Sequence, residues 1–295
     1  MGVNSIFGRS TTRWIRYSDY EYKQTDDGQI YLTPAPKSVS AVYDPLENPE
    51  DMIVNAINIG LLCLSSGIDE TRIQAEIAVF AEKYGLLGFM TALPTTPEFM
   101  EYDTVYLPKN RYLKAQSMPT DEYAAIFFPF DDGINKNPNP KKYYVADDGA
   151  IRVSLAARNK PKAIEMSYLR TYAEPYEWLR TVFKDWAFMF AASFMYYEED
   201  DPVMAELHRQ SISVFDGNVP TYHIELFGKP TLMWDFHSLL LMIQMMFSLM
   251  LTDETNPLRS CKHCNRAFVT RHPTAVFCSP RCKNQFNVYK SRGKK

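Results

Sequence analysis

Cys261, Cys264, Cys278 and Cys282 are spaced C-x2-C-x13-C-x3-C, while the rest of the chain holds only one cysteine, Cys63. Two close pairs of thiols joined by a short hairpin-length segment are the pattern of two half-sites closing on one ion. Four thiolates complete the tetrahedral shell of zinc and leave no position open for a substrate, so the expected role is structural, not catalytic. His263 and His272 lie nearby as spare ligands that a four-cysteine site does not need. Pieces of chain under about 40 residues rarely fold on an apolar core alone. Four thiolates on zinc supply on the order of 10–16 kcal/mol of apparent binding energy, which becomes folding energy for such a piece. No short apolar stretch follows a basic start, and MGVNSI has Ile6 where a myristoylation signal needs Ser or Thr. The clustered thiols are therefore expected as metal ligands in a reducing cytoplasm, not as disulfides.

The elements that must position these sulfurs can be read locally. Ser279 followed by Pro280 is a helix start, with serine as the cap and proline at the first helical position. Cys278 then falls just before the helix and Cys282 in its first turn, where unpaired amides favour thiolates. At 100° per residue, Phe286, Tyr289 and Gly293 fall within about 40° of Cys282, and that face is expected to pack on the Cys261–Cys264 knuckle. Lys283, Asn287, Lys290 and Lys294 cluster at roughly 80–140°, with Asn284 extending that face and Arg292 on a neighbouring stripe. Residues 255–295 contain ten Lys or Arg and no acid, leaving 22 of the 32 basic residues to face all 35 acids. An acidic body with a basic arm is the composition of a chain that meets a polyanion. Lys283, Lys290, Arg292, Lys294 and Lys295 suit phosphates, and Asn284 and Asn287 are candidates for base edges.

The arm resembles the CGNR-type zinc fingers at the C-terminus of predicted bacterial transcriptional regulators. The matching features are Leu258-Arg259 before the first pair, Phe268 four residues after Cys264, Phe277-Cys278-Ser279, and the Cys282/Asn284 pair with the trailing Tyr-Lys-Ser-Arg. The naming tetrapeptide reads Cys282-Lys283-Asn284-Gln285, with glutamine where the family has arginine. The likeness covers residues 258–292; it implies a treble-clef or zinc-ribbon-like fold, and DNA as the partner.

The remainder, residues 1–254, reads as a helix-rich α+β body, and a further division near residue 160 fits the pattern. Two short strands over residues 12–22 and 29–34 flank the turn at Asp26–Gly28. A helix opens at Asn48-Pro49, and a second runs over residues 69–85 to Gly85. Residues 86–160 are expected to be extended and loop-rich, with strands at 104–108, 124–130 and 143–147. One long helix is expected from Lys162 to Tyr197, striped by Leu179, Phe183, Trp186, Phe190, Phe194 and Tyr197 at helical spacing. That stripe is read as core packing. A helix around His208, a hairpin turning at Gly228-Lys229-Pro230 and a Met-rich helix over residues 235–252 complete the body. The uncharged run Phe236–Thr252 sits at the short limit for a membrane span and reads as a buried helix, so no membrane is expected.

The body shows no H-E-x-x-H, no phosphate-cradling glycine loop and no G-x-S-x-G elbow, and Cys63 reads as a packed thiol. An enzyme is not expected. The reading is a DNA-binding regulator whose body senses a small-molecule effector or mediates homodimer formation. A zinc-stabilised protein-interaction module and an RNA-binding protein stand as the alternatives.

Overall fold

The computed structural model describes residues 12–93, 99–107, 110–131, 162–198, 200–213, 220–226, 228–253, 258–272 and 274–293. Helices and several small antiparallel sheets are mixed, as the α+β reading requires. The strand expected at 143–147 and the division near 160 lie outside the described residues.

The first expected strand is two. β1 (Trp14–Tyr17) pairs with β4 (Ser40–Tyr43), whereas β2 (Tyr20–Gln24) pairs with β3 (Ile30–Pro34). The break falls at Ser18, whose amide makes the last bond of the β1–β4 register, to the Val39 carbonyl at 2.9 Å, while its hydroxyl in place of its carbonyl accepts from the Val39 amide at 2.9 Å. One uninterrupted aromatic run thus serves two sheets, which the residue pattern alone does not reveal. Helix α1 (Pro49–Leu64) begins at Asn48-Pro49 as expected, although the Asn48 side chain makes no capping bond. Asp69 caps α2 (Glu70–Tyr84) through the Thr71 amide. Gly85, at φ +89°, ends that helix in the left-handed region.

Beyond the short helix α3 (Phe89–Ala92), β5 (Thr104–Tyr106) pairs with β6 (Ser117–Pro119). Residues 124–130 are not a strand. Helix α4 (Thr120–Phe127) covers most of them, because Tyr123, Ala124 and Phe127 share one fully buried helical face. The single helix expected from Lys162 is likewise two, α5 (Lys162–Ser167) and α6 (Tyr176–Glu198). Between them the chain turns and lays down β7 (Glu174–Pro175) against β3. Proline at 175 cannot continue a helix that began upstream, and the extended pair is its natural setting.

The α6 stripe is core. Leu179, Phe183, Trp186 and Phe190 are all buried, with Phe183 edge-on to both Phe80 and Trp186. Complete burial of each such side chain stabilises by about 1.5–3 kcal/mol. Against α6, α1 packs closely at Gly60. A Cβ placed on Gly60 would lie 1.8 Å from the Phe183 carbonyl oxygen and 2.6 Å from Ala187 Cβ, so backbone meets backbone there. Cys63 is buried, and burial pushes its thiol up to about 11.

Glu174 is a buried carboxylate that no sequence pattern announced. Its side chain is fully enclosed and accepts from the amides of Leu87 (2.8 Å), Gly88 (2.5 Å) and Phe89 (3.0 Å) and from the Tyr172 hydroxyl (2.8 Å). Burial pushes the carboxyl above the ordinary range, while the Phe89 and Leu87 amides, the Tyr172 hydroxyl and the Gly88 amide pull it back. The three amides are the open end of α3 and the residues before it.

Helix α7 (Pro202–Ser213) carries His208, and β8 (Thr221–Leu226) and β9 (Pro230–Asp235) form the expected hairpin around Gly228. Ser238 caps α8 (Leu239–Leu251), a core helix with Met242, Ile243, Met246 and Phe247 buried. Among the described residues no helix is long and apolar enough to cross a membrane.

Two outcomes follow from these contacts. Glu174→Ala leaves three buried amides without an acceptor, at about 1–3 kcal/mol each. Urea denaturation should therefore show a loss of about 3 kcal/mol or more, and a loss under 1 kcal/mol would contradict this role. In the hairpin, His223 Nδ1 lies 2.6 Å from Asp235 Oδ2, and this partner raises the imidazole pKa above 6.5. The contribution is complete below 6.5 and is lost as pH rises through the higher folded-state value. An NMR titration should give a His223 midpoint above 6.5, and a midpoint at or below it would exclude the pair.

Candidate metal centre

The arm begins as a hairpin. β10 (Leu258–Ser260) pairs antiparallel with β11 (Ala267–Val269), and the Cys261 amide extends the ladder to the Arg266 carbonyl at 2.9 Å. Inside this hairpin the chain folds tightly enough to turn Cys261 and Cys264 to one side. The turn closes with Asn265 donating to the Cys261 carbonyl at 2.8 Å, with Asn265 at φ 58°. Asparagine tolerates this left-handed conformation better than most residues because its short side chain can bond locally. A further bond from the Lys262 amide to the Val276 carbonyl (2.9 Å) brings the second cysteine pair alongside.

Helix α9 (Pro280–Ser291) starts as the sequence requires. Ser279 is the cap, its hydroxyl accepting from the Cys282 amide at 3.2 Å, and Pro280 is the first helical residue. Phe286 is half-buried, 5.2 Å from the Phe277 ring. The expected packing face is incomplete beyond it. Tyr289 is 46% exposed with its ring 5.6 Å from His263, and Gly293 is exposed. The face fades because the knuckle is only a few residues tall and the helix outruns it.

All four expected ligands converge. The sulfurs of Cys261, Cys264, Cys278 and Cys282 lie within 4.8 Å of one another. Cys264 and Cys278 sulfurs are 3.7 Å apart, and Cys278 and Cys282 sulfurs 3.5 Å. Sulfurs bound to one tetrahedral ion through bonds of about 2.3 Å sit roughly 3.8 Å apart, close to the two separations above, so the four could hold a metal ion. The electrostatics point the same way. Burial raises the Cys261 thiol, but the amides of Cys278, Cys264 and His263 outweigh it and hold the pKa down at about 6. Cys278 is pushed up to about 12, by burial first and then by the neighbouring sulfurs. Ionising all four at such spacing requires a cation among them. His263 is outside the set: its Nε2 sits 3.2 Å from Gln285 Oε1, the residue that departs from the resembled motif.

The arm holds the body through its hairpin. Leu258 and Ala267 are buried in the same cluster as the core of the body. Asn58 on α1 donates to the Ala267 carbonyl at 3.1 Å and accepts from the Ala267 amide at 2.9 Å, mimicking a strand partner. Asn58 was not singled out by sequence reasoning, although a lone amide between buried Ile57 and Ile59 is a signal that something polar must meet it.

No residue of α9 is buried. Lys283, Asn284, Asn287, Lys290 and Arg292 are all exposed, and Lys294 and Lys295 lie outside the described residues. Among the described residues, Lys283, Lys290 and Arg292 share no ion pair. Among the described residues, no acid of the body forms an ion pair with that face.

If an ion fills the cluster, a chelator should unfold residues 258–293 and leave the body intact. Hydrogen exchange by mass spectrometry is the check: protection in 280–291 should vanish while that in α1 and α6 persists. Unchanged protection in 280–291 would show that the sulfurs do not depend on an ion. Set against known proteins, the chain matches no family model, no curated protein and no solved structure.

Proposed function

We propose that this chain is a DNA-binding protein whose arm is built on a structural zinc ion. The observation that carries the reading is the exposed, acid-free basic face of α9, anchored at one end by the four-sulfur cluster. Zinc is the natural occupant because a closed set of four thiolates suits it and offers no open position for catalysis. A knuckle, a hairpin and a helix whose first turn supplies the last sulfur form a treble-clef-like arrangement. Cys261, Cys264, Cys278 and Cys282 would hold the ion, and the binding energy of that ion would stand in for the core the arm lacks.

With the ion in place, α9 is a short rigid rod. Lys283, Lys290 and Arg292, with Lys294 and Lys295 beyond, would meet phosphates, which position the protein without reading sequence. Asn284 and Asn287 occupy the same exposed side and are the side chains able to pair with an adenine edge. Of the two roles expected for the body, association is the one with residues behind it. A second reading, an arm that docks onto protein, draws on the exposure of Val276, Val288 and Tyr289. Salt dependence separates the two, because counterion release from a duplex is steep and apolar docking is not.

Fluorescence anisotropy of the metal-loaded protein with duplex DNA across a salt series tests the proposal. The slope of log affinity against log salt should be about −0.9 per phosphate contacted. Lys290→Ala should reduce that slope by about one contact and weaken binding to all sequences alike. Absence of binding even at low salt would sink the reading.

A further inference from the structure

The hairpin of β8 and β9 exposes its apolar residues. Tyr222, Ile224 and Leu226 alternate along β8 and are 65%, 68% and 80% exposed, and Leu232, paired with Ile224, is 47% exposed. Their neighbours His223 and Glu225 project from the opposite face of the strand and are less exposed. Among the described residues this sheet has two strands only, so the outer edge of β8 has no partner. Two-stranded sheets are marginal in water, and an edge without proline, lysine or a bulge is a template for another strand. β8, Thr-Tyr-His-Ile-Glu-Leu, has none of these guards, whereas β9 opens with Pro230.

The direction of the free backbone groups follows from that proline. Pro230 has no N–H, so its pair with Leu226 cannot exchange two bonds. Antiparallel pairs alternate between bonded and unbonded types, so Tyr222, Ile224 and Leu226 turn their N–H and C=O groups away from β9. The exposed apolar residues are therefore also those with backbone groups to offer.

We propose that a second copy of this chain adds its own β8 antiparallel to this edge, about a two-fold axis through Ile224. In that register Ile224 faces Ile224 of the second copy, and Tyr222 faces Leu226. On the other face His223 stands opposite Glu225, twice. The choice of register is made by charge. A slip of the axis to His223 sets imidazole against imidazole, and a slip to Glu225 sets carboxylate against carboxylate. An axis between residues sets Ile224 against His223 and Tyr222 against Glu225. Only the axis at Ile224 satisfies both faces, and directly opposed pairs of this kind are what stabilise a sheet. His223 already lies 3.6 Å from Glu225 and 2.6 Å from Asp235 within one copy, so pairing builds a row of alternating sign across the joint. The product is a four-stranded antiparallel sheet with an isologous interface, and it stands whether or not the arm binds DNA.

Sedimentation equilibrium of the full-length, metal-loaded protein at tens of micromolar tests this. The expected mass is twice that of the chain, falling to a single chain in Ile224→Lys. Oxidised glutathione fixes the register: bonded pairs sit about 5.5 Å apart at Cα, inside the disulfide range of about 4.4–6.8 Å. Ile224→Cys should cross-link to a covalent dimer, and Tyr222→Cys, whose counterpart lies opposite Leu226, should not. A monomeric wild-type protein, a dimer unaffected by Ile224→Lys, or cross-linking through Tyr222→Cys in place of Ile224→Cys would each overturn the proposal.

Discussion

A single carboxylate holds the body together. Glu174 closes on three consecutive amides at residues 87–89, more than 80 positions away in sequence, and by doing so fixes the segment on which other elements converge. Trp14 of β1 donates its indole N–H to the Leu86 carbonyl at 2.8 Å, and Leu240 at the start of α8 donates to the Leu87 carbonyl at 2.7 Å. Gly85 admits this crossing because a Cβ there would meet the Ile15 carbonyl oxygen at 2.2 Å. First sheet, α3, α6 and α8 therefore share one short loop as their common reference. A buried acid is expensive to desolvate, and it is tolerated here because its oxygens accept four hydrogen bonds.

The contrast between arm and body explains what the residues disclosed in advance. The four-sulfur cluster was legible because its chemistry is local: two cysteine pairs, a Ser-Pro helix start and a small segment with no core of its own. Helices α1, α2 and α8 and the turn at Gly228 were legible for the same reason, since cap, periodicity and terminator all lie within one window. Glu174 was not, because Ala-Glu-Pro carries no trace of amides that arrive from a distant loop. The 124–130 segment misled because a short aromatic run satisfies strand and helix patterns alike, and burial of Tyr123 beside Phe127 decided for the helix. The break between α5 and α6 was masked by continuous helical periodicity on both sides of Pro175.

Arm and body are joined by means suited to their different origins of stability. The body supplies an apolar seat for Leu258 and Ala267 and one polar clip, Asn58. The arm supplies the four-sulfur cluster, whose Cys264 and Cys278 are exposed. Ala267, which Asn58 clips, pairs with Ser260 right beside Cys261, so the attachment and the cluster are neighbours on one hairpin.

The close approach at Gly60 carries that arrangement further. Gly60 presses its backbone against α6, and Asn58, two residues earlier and so about 200° around α1, faces the arm. Helix α1 is thereby a spacer with one side seated on bare main chain and the other gripping the hairpin. Soft side chains cushion most helix contacts and absorb small displacements; at this crossing the Phe183 carbonyl and the small Ala187 methyl are the nearest neighbours. The backbone that meets α6 at Phe183 is thus two residues from the amide that grips the hairpin, and the seat of the arm is set by how the core packs.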